Sequence, residues 1–247
     1  MYLSDLIIND KERIAFSDLF LPEKDRAQLN DLLKEFSYAE QLLRYELPVN
    51  NKVLLYGSSG CGKTATAKAI ANALGKPLIV LNLSTVINAK IGETAQNLRM
   101  VFDHAAKMKA VLLLDEFDQI SKGRSIDDKD VGEMRRIVNT LIQLLDRLTA
   151  DTLLICATNH RDFIDHALLR RFQLQLSYTL PSSAVLDGYY DQLLSKYPEN
   201  ISSVERRYEL SFAEVKDLTL TAVKRNLICL LEAGQEDHQI NKVPETV

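Results

Sequence analysis

Residues 52–64 read KVLLYGSSGCGKT: a short apolar run, Lys52-Val53-Leu54-Leu55-Tyr56, followed at once by Gly57-Ser58-Ser59-Gly60-Cys61-Gly62-Lys63-Thr64. The run suits a buried parallel strand. The eight residues after it match GxxxxGK[ST] without a gap. That spacing has a chemical reason. Glycines let the backbone curl until successive N–H groups converge on phosphate oxygens. The helix that follows then directs its positive end at the same anion. Gly57, Ser58, Ser59, Gly60, Cys61, Gly62, Lys63, Thr64 and Ala65 are therefore candidate nucleotide contacts, with Lys63 reaching the β- and γ-phosphates and the Thr64 hydroxyl coordinating Mg²⁺.

Three similar runs follow, Leu78–Leu83, Val111–Leu114 and Leu153–Ala157, and Phe172–Tyr178 alternates as a fifth strand would. Helical spacing fills the gaps at 63–74, 94–107 and 132–147. Strand and helix in alternation predict an α/β fold, a P-loop parallel sheet with helices on both faces. Ligands of such sheets bind at the carboxyl ends of the strands. There stand Asp115 and Glu116, after Val111-Leu112-Leu113-Leu114. Asp115 suits the metal, and Glu116 suits orienting and polarising a water. Alone, such a pair reads as a solvated acidic turn; beside a phosphate loop on the same sheet it reads as a site.

Ahead of the first run, Glu23–Tyr45 has helical spacing between Pro22 and Pro48. After Pro181 the apolar strands cease, and helices are expected at 182–196, 204–207 and 212–232 as a small α-helical lid domain. The expected organisation is an arm at 1–15, a large nucleotide-binding domain at 16–181, the lid at 182–232 and a flexible polar tail at 233–247.

Composition sets outer limits. The 247 residues are 46% hydrophobic and 26% charged, which is enough apolar material for a sizeable core. A net charge of −4 argues against attachment to nucleic acid by charge alone. Cys61, Cys156 and Cys229 form no CxxC pair, which favours a reducing compartment and a cytoplasmic protein. His104, His160, His166 and His238 lack metal-ligand spacing. Ala110–Leu114, the longest uninterrupted apolar stretch, is too short to span a bilayer, so no membrane role is expected.

From Phe16 to the last helix the chain resembles the AAA family of ring-forming ATPases. Ile155-Cys156-Ala157-Thr158-Asn159 is similar to the family's sensor strand, which implies that Asn159 touches the γ-phosphate or the attacking water. Asp165-His166-Ala167-Leu168-Leu169-Arg170-Arg171-Phe172 is similar to the arginine-finger segment, which implies that Arg170 and Arg171 reach the neighbouring subunit's nucleotide. Two adjacent arginines before an apolar strand are costly if buried without anions, and a triphosphate across a subunit boundary would satisfy them. A pair of surface arginines is the other reading. Phe16–Leu21 resembles the segment flanking the adenine, with Leu19 and Phe20 as walls. Leu210-Ser211-Phe212-Ala213-Glu214 resembles the opening of the lid's last helix, which puts Ala213 near the nucleotide; Phe212 stands where relatives often have glycine, and either narrows the pocket or completes its wall. Ser84–Phe102 resembles the pore-loop segment, but Lys90-Ile91-Gly92 lacks the aromatic residue that grips a threaded chain. Arg136 either contacts the next subunit or lies on a solvated helix face.

The resemblance implies ATP and Mg²⁺ as ligands and a homo-oligomer, a ring of six, that remodels, unfolds or hands over a protein partner. The first fifteen residues are too few for a recognition domain, so recognition is expected to come from this short arm, the pore loops or a separate partner protein. A nucleotide-dependent assembly switch or scaffold is the alternative. A nucleic-acid motor is the weakest, since Lys90, Lys107, Lys109, Lys122 and Arg124 have no aromatics beside them.

Overall fold

The computed structural model describes residues 7–8, 12–87, 94–122 and 128–232. It divides into two compact units: residues 1–57 with 63–178, and residues 58–62 with 179–247.

The first unit is built on a sheet of strands β1 (Ile7–Ile8), β2 (Lys52–Gly57), β3 (Leu78–Asn82), β4 (Val111–Asp115), β5 (Leu153–Thr158) and β6 (Leu174–Tyr178), in the order β1-β3-β4-β5-β2-β6. Five strands run parallel, and β1 lies antiparallel on the β3 edge. In the middle strands every residue of Val111–Leu114 and of Leu153–Ala157 is sealed from solvent. That is why both runs are apolar throughout: a strand covered on two faces has no solvent side on which to alternate.

Successive side chains leave a strand on opposite faces. Leu54, Leu112, Leu114, Leu154 and Cys156 share one core with Leu98, Val101 and Phe102 of helix α5 (Thr94–Lys107) and Ile137, Leu141 and Leu145 of helix α7 (Asp128–Asp146). Phe117 and Phe172 meet edge to face within it, their centroids 5.8 Å apart. Helix α3 (Lys63–Ala73) packs on β3, β4 and β5 and buries Ala67, Ile70 and Ala71.

Several boundaries depart from the sequence expectation. The predicted helix 23–45 is two helices, α1 (Glu23–Ser37) and α2 (Ala39–Arg44), broken at Tyr38. Ser37 Oγ donates to the Leu33 carbonyl, the back-bonding by which a serine loosens a helix turn. Leu83 ends no strand; it opens helix α4 (Leu83–Ile87), because Asn82 Oδ1 accepts from both the Ser84 N–H and the Ser84 hydroxyl. Short helices α6 (Gln119–Lys122) and α8 (His166–Leu169) complete this unit's helices among the described residues.

The second unit holds helices α9 (Ser183–Leu194) and α10 (Phe212–Glu232) around Leu186, Tyr190, Leu193 and Val215. Residues 204–207, expected to be helical, form no helix. The reason is one phenol: Tyr190 Oη donates to the Arg207 carbonyl at 3.0 Å and accepts from the Arg207 N–H at 3.0 Å, so both main-chain groups a helix would need are taken. Among the described residues no helix is long and apolar enough to cross a membrane.

Candidate functional site

The strands β4, β5 and β2 lie side by side, and their carboxyl ends deliver Asp115, Asn159 and Gly57 to one edge of the sheet. Lys63, only 8% exposed, donates from Nζ to the Gly57 carbonyl at 2.8 Å and to Asn159 Oδ1 at 2.8 Å. Beside it Thr64 Oγ1 donates to Asp115 Oδ2 at 3.3 Å. Two candidate pairs, Lys63 with Asn159 and Thr64 with Asp115, are thus joined by adjacency in the chain. Ala65 lies half-buried in the first turn of α3.

Glu116 has φ +55°, the left-handed region, which costs a residue with a Cβ about 1–2 kcal/mol. Its N–H donates to Asp115 Oδ1 at 2.9 Å, and the next N–H, of Phe117, donates to the Ala157 carbonyl of β5. The chain is held in this turn from both sides. Among the described residues the Glu116 carboxylate has no hydrogen-bond or ion-pair partner. Strain at a residue whose side chain is left unpaired is the pattern of a functional position.

Two residues that sequence reasoning passed over belong to this arrangement. Thr158 Oγ1 donates to buried Asp118 Oδ1 at 2.9 Å and accepts from the His160 N–H at 3.0 Å. The two bonds flank Asn159 and set where its amide stands. Asp118 follows Asp115 by three positions, and that second carboxylate was the available signal.

Gly57 has φ +122°, and a Cβ there would lie 2.1 Å from the Tyr178 carbonyl oxygen of β6. No other residue fits at the end of β2. The Tyr178 hydroxyl, whose pKa burial pushes up, donates to Thr66 of α3 at 2.8 Å.

Within the second unit, Ser58 and Ser59 are exposed, Gly60 and Gly62 have positive φ, and Cys61 is buried with its thiol donating to the Ser59 carbonyl. The Ala213 N–H donates to the Gly60 carbonyl at 3.2 Å. A Cβ on Gly60 would meet Ser211 Oγ at 2.6 Å. Ser211 and Glu214 cap α10 reciprocally: Glu214 Oε2 accepts from the Ser211 N–H and hydroxyl, and Ser211 Oγ accepts from the Glu214 N–H. Those bonds from Ser211 hold the Glu214 carboxyl below its usual range. Phe212 packs edge to face on Tyr189, with centroids 5.0 Å apart, and so forms part of an apolar wall in this unit.

The remaining candidates fall into different surroundings. Leu19 is buried and Phe20 half-buried, with the Leu19 and Phe16 carbonyls accepting from Arg26. Arg171 is committed inside its own chain: Nε and Nη2 donate to the two Asp146 oxygens at 2.7 and 2.9 Å, and Nη1 to the Ala167 carbonyl at 2.7 Å. This bidentate bond holds Asp146 below its usual range and raises Arg171. Arg170, at the end of α8, is exposed, and its guanidinium has no partner among the described residues. Arg136 is exposed on α7. Lys90-Ile91-Gly92 lies outside the described residues.

Within the first unit the donor set fits a magnesium–triphosphate: a strand ending in a glycine of positive φ, one buried ammonium, and one hydroxyl paired with one carboxylate. Among the described residues no group of three or more His, Cys, Asp or Glu could hold a metal by itself, so the substrate's own oxygens would complete the shell.

The family model described as "ATPase family associated with various cellular activities (AAA)" matches residues 53–180, more than half of the chain. An uncharacterized AAA family ATPase of Sinorhizobium fredii is 34% identical over 215 residues, covering 86% of this chain and 65% of that protein. A 26S proteasome regulatory subunit homolog of Methanothermobacter thermautotrophicus is 26% identical over 249 residues, covering 94% of this chain and 66% of its own length. The mouse nuclear valosin-containing protein-like is 36% identical over 152 residues, or 58% of this chain and 18% of that one. The chain therefore spans about two thirds of the length of the first two and under a fifth of the third.

Proposed function

The chain belongs to the AAA family of ATPases, and on that premise we propose that it hydrolyses ATP with Mg²⁺ in a ring of several copies, six by family resemblance, and uses turnover to remodel, unfold or hand over a protein partner. One observation carries the hydrolytic reading. Lys63 with Asn159, and Thr64 with Asp115, meet at the ends of three adjacent strands, beside a strained Glu116 whose carboxylate is unpaired among the described residues.

In this reading the main-chain N–H groups of residues 58–62 and the Lys63 ammonium bind the triphosphate. Thr64 and Asp115 would hold Mg²⁺, which when bound supplies positive charge to the β- and γ-oxygens. The 2.8 Å contact between Lys63 and Asn159 gives way as phosphate oxygens take the ammonium's donors, freeing the Asn159 amide to orient a water. Glu116 accepts that water's proton. Leu19 and Phe20 flank the base. Of the two arginines, we assign the role in trans to Arg170 alone, because Arg171 would have to abandon three hydrogen bonds to leave its own chain.

The protein-directed role follows the relatives' names, of which one is a proteasome regulatory subunit homolog. Three free cysteines fit a reducing, cytoplasmic compartment. The missing aromatic at Lys90-Ile91-Gly92 keeps the assembly switch as a second reading. Assembly driven equally by ATP and by a non-hydrolysable analogue, with no partner unfolded, would favour the switch.

Glu116→Gln tests the hydrolytic core. Phosphate release is expected to fall by about 10²–10⁴-fold while ATP binding persists and the mass in solution rises with ATP. Turnover at the parent rate would refute the assignment.

A further inference from the structure

Arg161 has no part in the chemistry above, yet its surroundings are unusual. It stands two residues after Asn159, opening a single 3₁₀ turn, Arg161–Phe163. Its guanidinium lies 5.2 Å from the centroid of the Tyr56 ring of β2. Nη2 donates to Gln175 Oε1 at 3.1 Å, and Nε is buried with no hydrogen-bond partner. A buried donor left unmet is unfavourable. An arginine kept for local stability alone would be expected to satisfy it, so this guanidinium is held for where it points.

It points at a bridge. The other end of the Gln175 amide, Nε2, donates to the Leu169 carbonyl at 3.1 Å. That carbonyl belongs to the peptide joining Leu169 to Arg170, in the last turn of α8. The two ends make opposite demands. A guanidinium only donates and a carbonyl only accepts, and one primary amide meets both. Gln175 is also anchored, since it lies in β6, the edge strand next to β2, in register with Leu54.

We infer that Arg161 and Gln175 are positioning residues, a relay that ties the segment carrying Asn159 to the peptide that aims Arg170; this rests on the roles given to Asn159 and Arg170 above. The links run in series. Asn159 is held between the Thr158 and His160 bonds to Asp118 and Thr158, so a change in its contact to Lys63 is passed along a stiff turn to Arg161. Arg161 moves the Gln175 amide, and the amide sets the plane of the Leu169–Arg170 peptide. Arg170, exposed and without a partner among the described residues, takes its direction from that plane. The phosphate present in one copy thereby biases the arginine which that copy offers to its neighbour's site.

Gln175→Glu tests the relay with little change of shape. The carboxylate accepts from Arg161 in a stronger, charge-assisted bond, but it cannot donate to the Leu169 carbonyl. The melting temperature is expected to hold or rise, and affinity for a fluorescent ATP analogue to stay within twofold. kcat is expected to drop by about tenfold with KM little changed. Mixed assemblies localise the effect. One chain carries Glu116→Gln and supplies only its arginine; the other carries Arg170→Ala and supplies only its hydrolytic site. Adding Gln175→Glu to the first chain should cut the mixture's rate about tenfold, and adding it to the second should leave that rate where it was. Equal losses in both chains, or no loss in either, overturn the relay. If Arg170→Ala alone turns over at the parent rate, the role of Arg170 falls first and the relay with it.

Discussion

The sheet-based unit and the helical unit both hold irregular backbone in place, by different means. In the first, the turns after β4 and β5 are pinned to each other: Phe117 N–H to the Ala157 carbonyl, Thr158 to Asp118, His160 to Thr158. In the second, the irregular stretch before α10 is held by individual side chains reaching its backbone: Tyr190 to Arg207, and Asn226 to the carbonyls of Ile201 and Ser203. Where neighbouring turns fix the backbone, side chains are free for chemistry, and Glu116 and Arg170 are left without partners among the described residues. Where side chains do the fixing, they are fully engaged. For two adjacent arginines outside the phosphate-binding set the difference yields an expectation: the one without a partner among the described residues should affect turnover when removed, and the one with several should affect stability.

Arg170 and Arg171 put that expectation to the test, since they are adjacent and alike. Arg170→Ala should lower turnover by on the order of 10³-fold with an unchanged melting temperature. Arg171→Ala should release Asp146 and Ala167, destabilising the fold by up to about 1 kcal/mol, modest because the ion pair is partly exposed. It should leave far more turnover per folded molecule than Arg170→Ala does. Steady-state phosphate release beside thermal melts reads both. Equal loss of turnover in the two variants would break the comparison.

The same contrast explains what could be read from sequence. The central parallel strands were visible because a strand buried on both faces must be apolar without interruption, as 111–114 and 153–157 are, while the edge strand β6 showed itself by alternation. The phosphate loop was visible because its glycines answer a fixed backbone demand, at Gly57 the 2.1 Å approach of Tyr178. The misses have another origin. Tyr38 breaks a helix, Leu83 starts one, and 204–207 forms none, each through one or two local hydrogen bonds that leave no periodic trace. Strand β1 has two residues, too few for any pattern. Asp118, Thr158, Arg161 and Gln175 converge only once β2, β4, β5 and β6 are side by side, and their separations in the chain carry no motif.

Tyr190→Phe sharpens the helical side of the comparison. It removes one oxygen and keeps the ring, which packs with Leu186, Leu193 and Val215. The Arg207 N–H and carbonyl would both lose their partner, which should destabilise the protein by about 1–3 kcal/mol. Turnover per folded molecule at low temperature should be affected far less than by Arg170→Ala. Hydrogen exchange should quicken at Arg207 well before the strands of the sheet respond.

The smallest effect concerns pH. Hydrogen bonds from the Ser211 hydroxyl and N–H lower the Glu214 carboxyl pKa, so the folded state binds its proton less readily than the unfolded chain does. Stability from this group is therefore complete above the unfolded value, about pH 4.3, and is lost as pH falls through the lower folded value. Glu214→Gln can still accept from Ser211 through its amide oxygen but does not titrate, so it removes the pH dependence and keeps much of the cap. The melting temperatures of parent and variant should differ by on the order of a degree near neutrality, and that gap should shrink in acid. Asp146 and Asp187, also lowered by arginine partners, titrate in both proteins and cancel in the difference. A gap that stayed constant down to pH 3 would mean that the Glu214 charge contributes nothing to holding α10, and that its oxygen is merely one more acceptor.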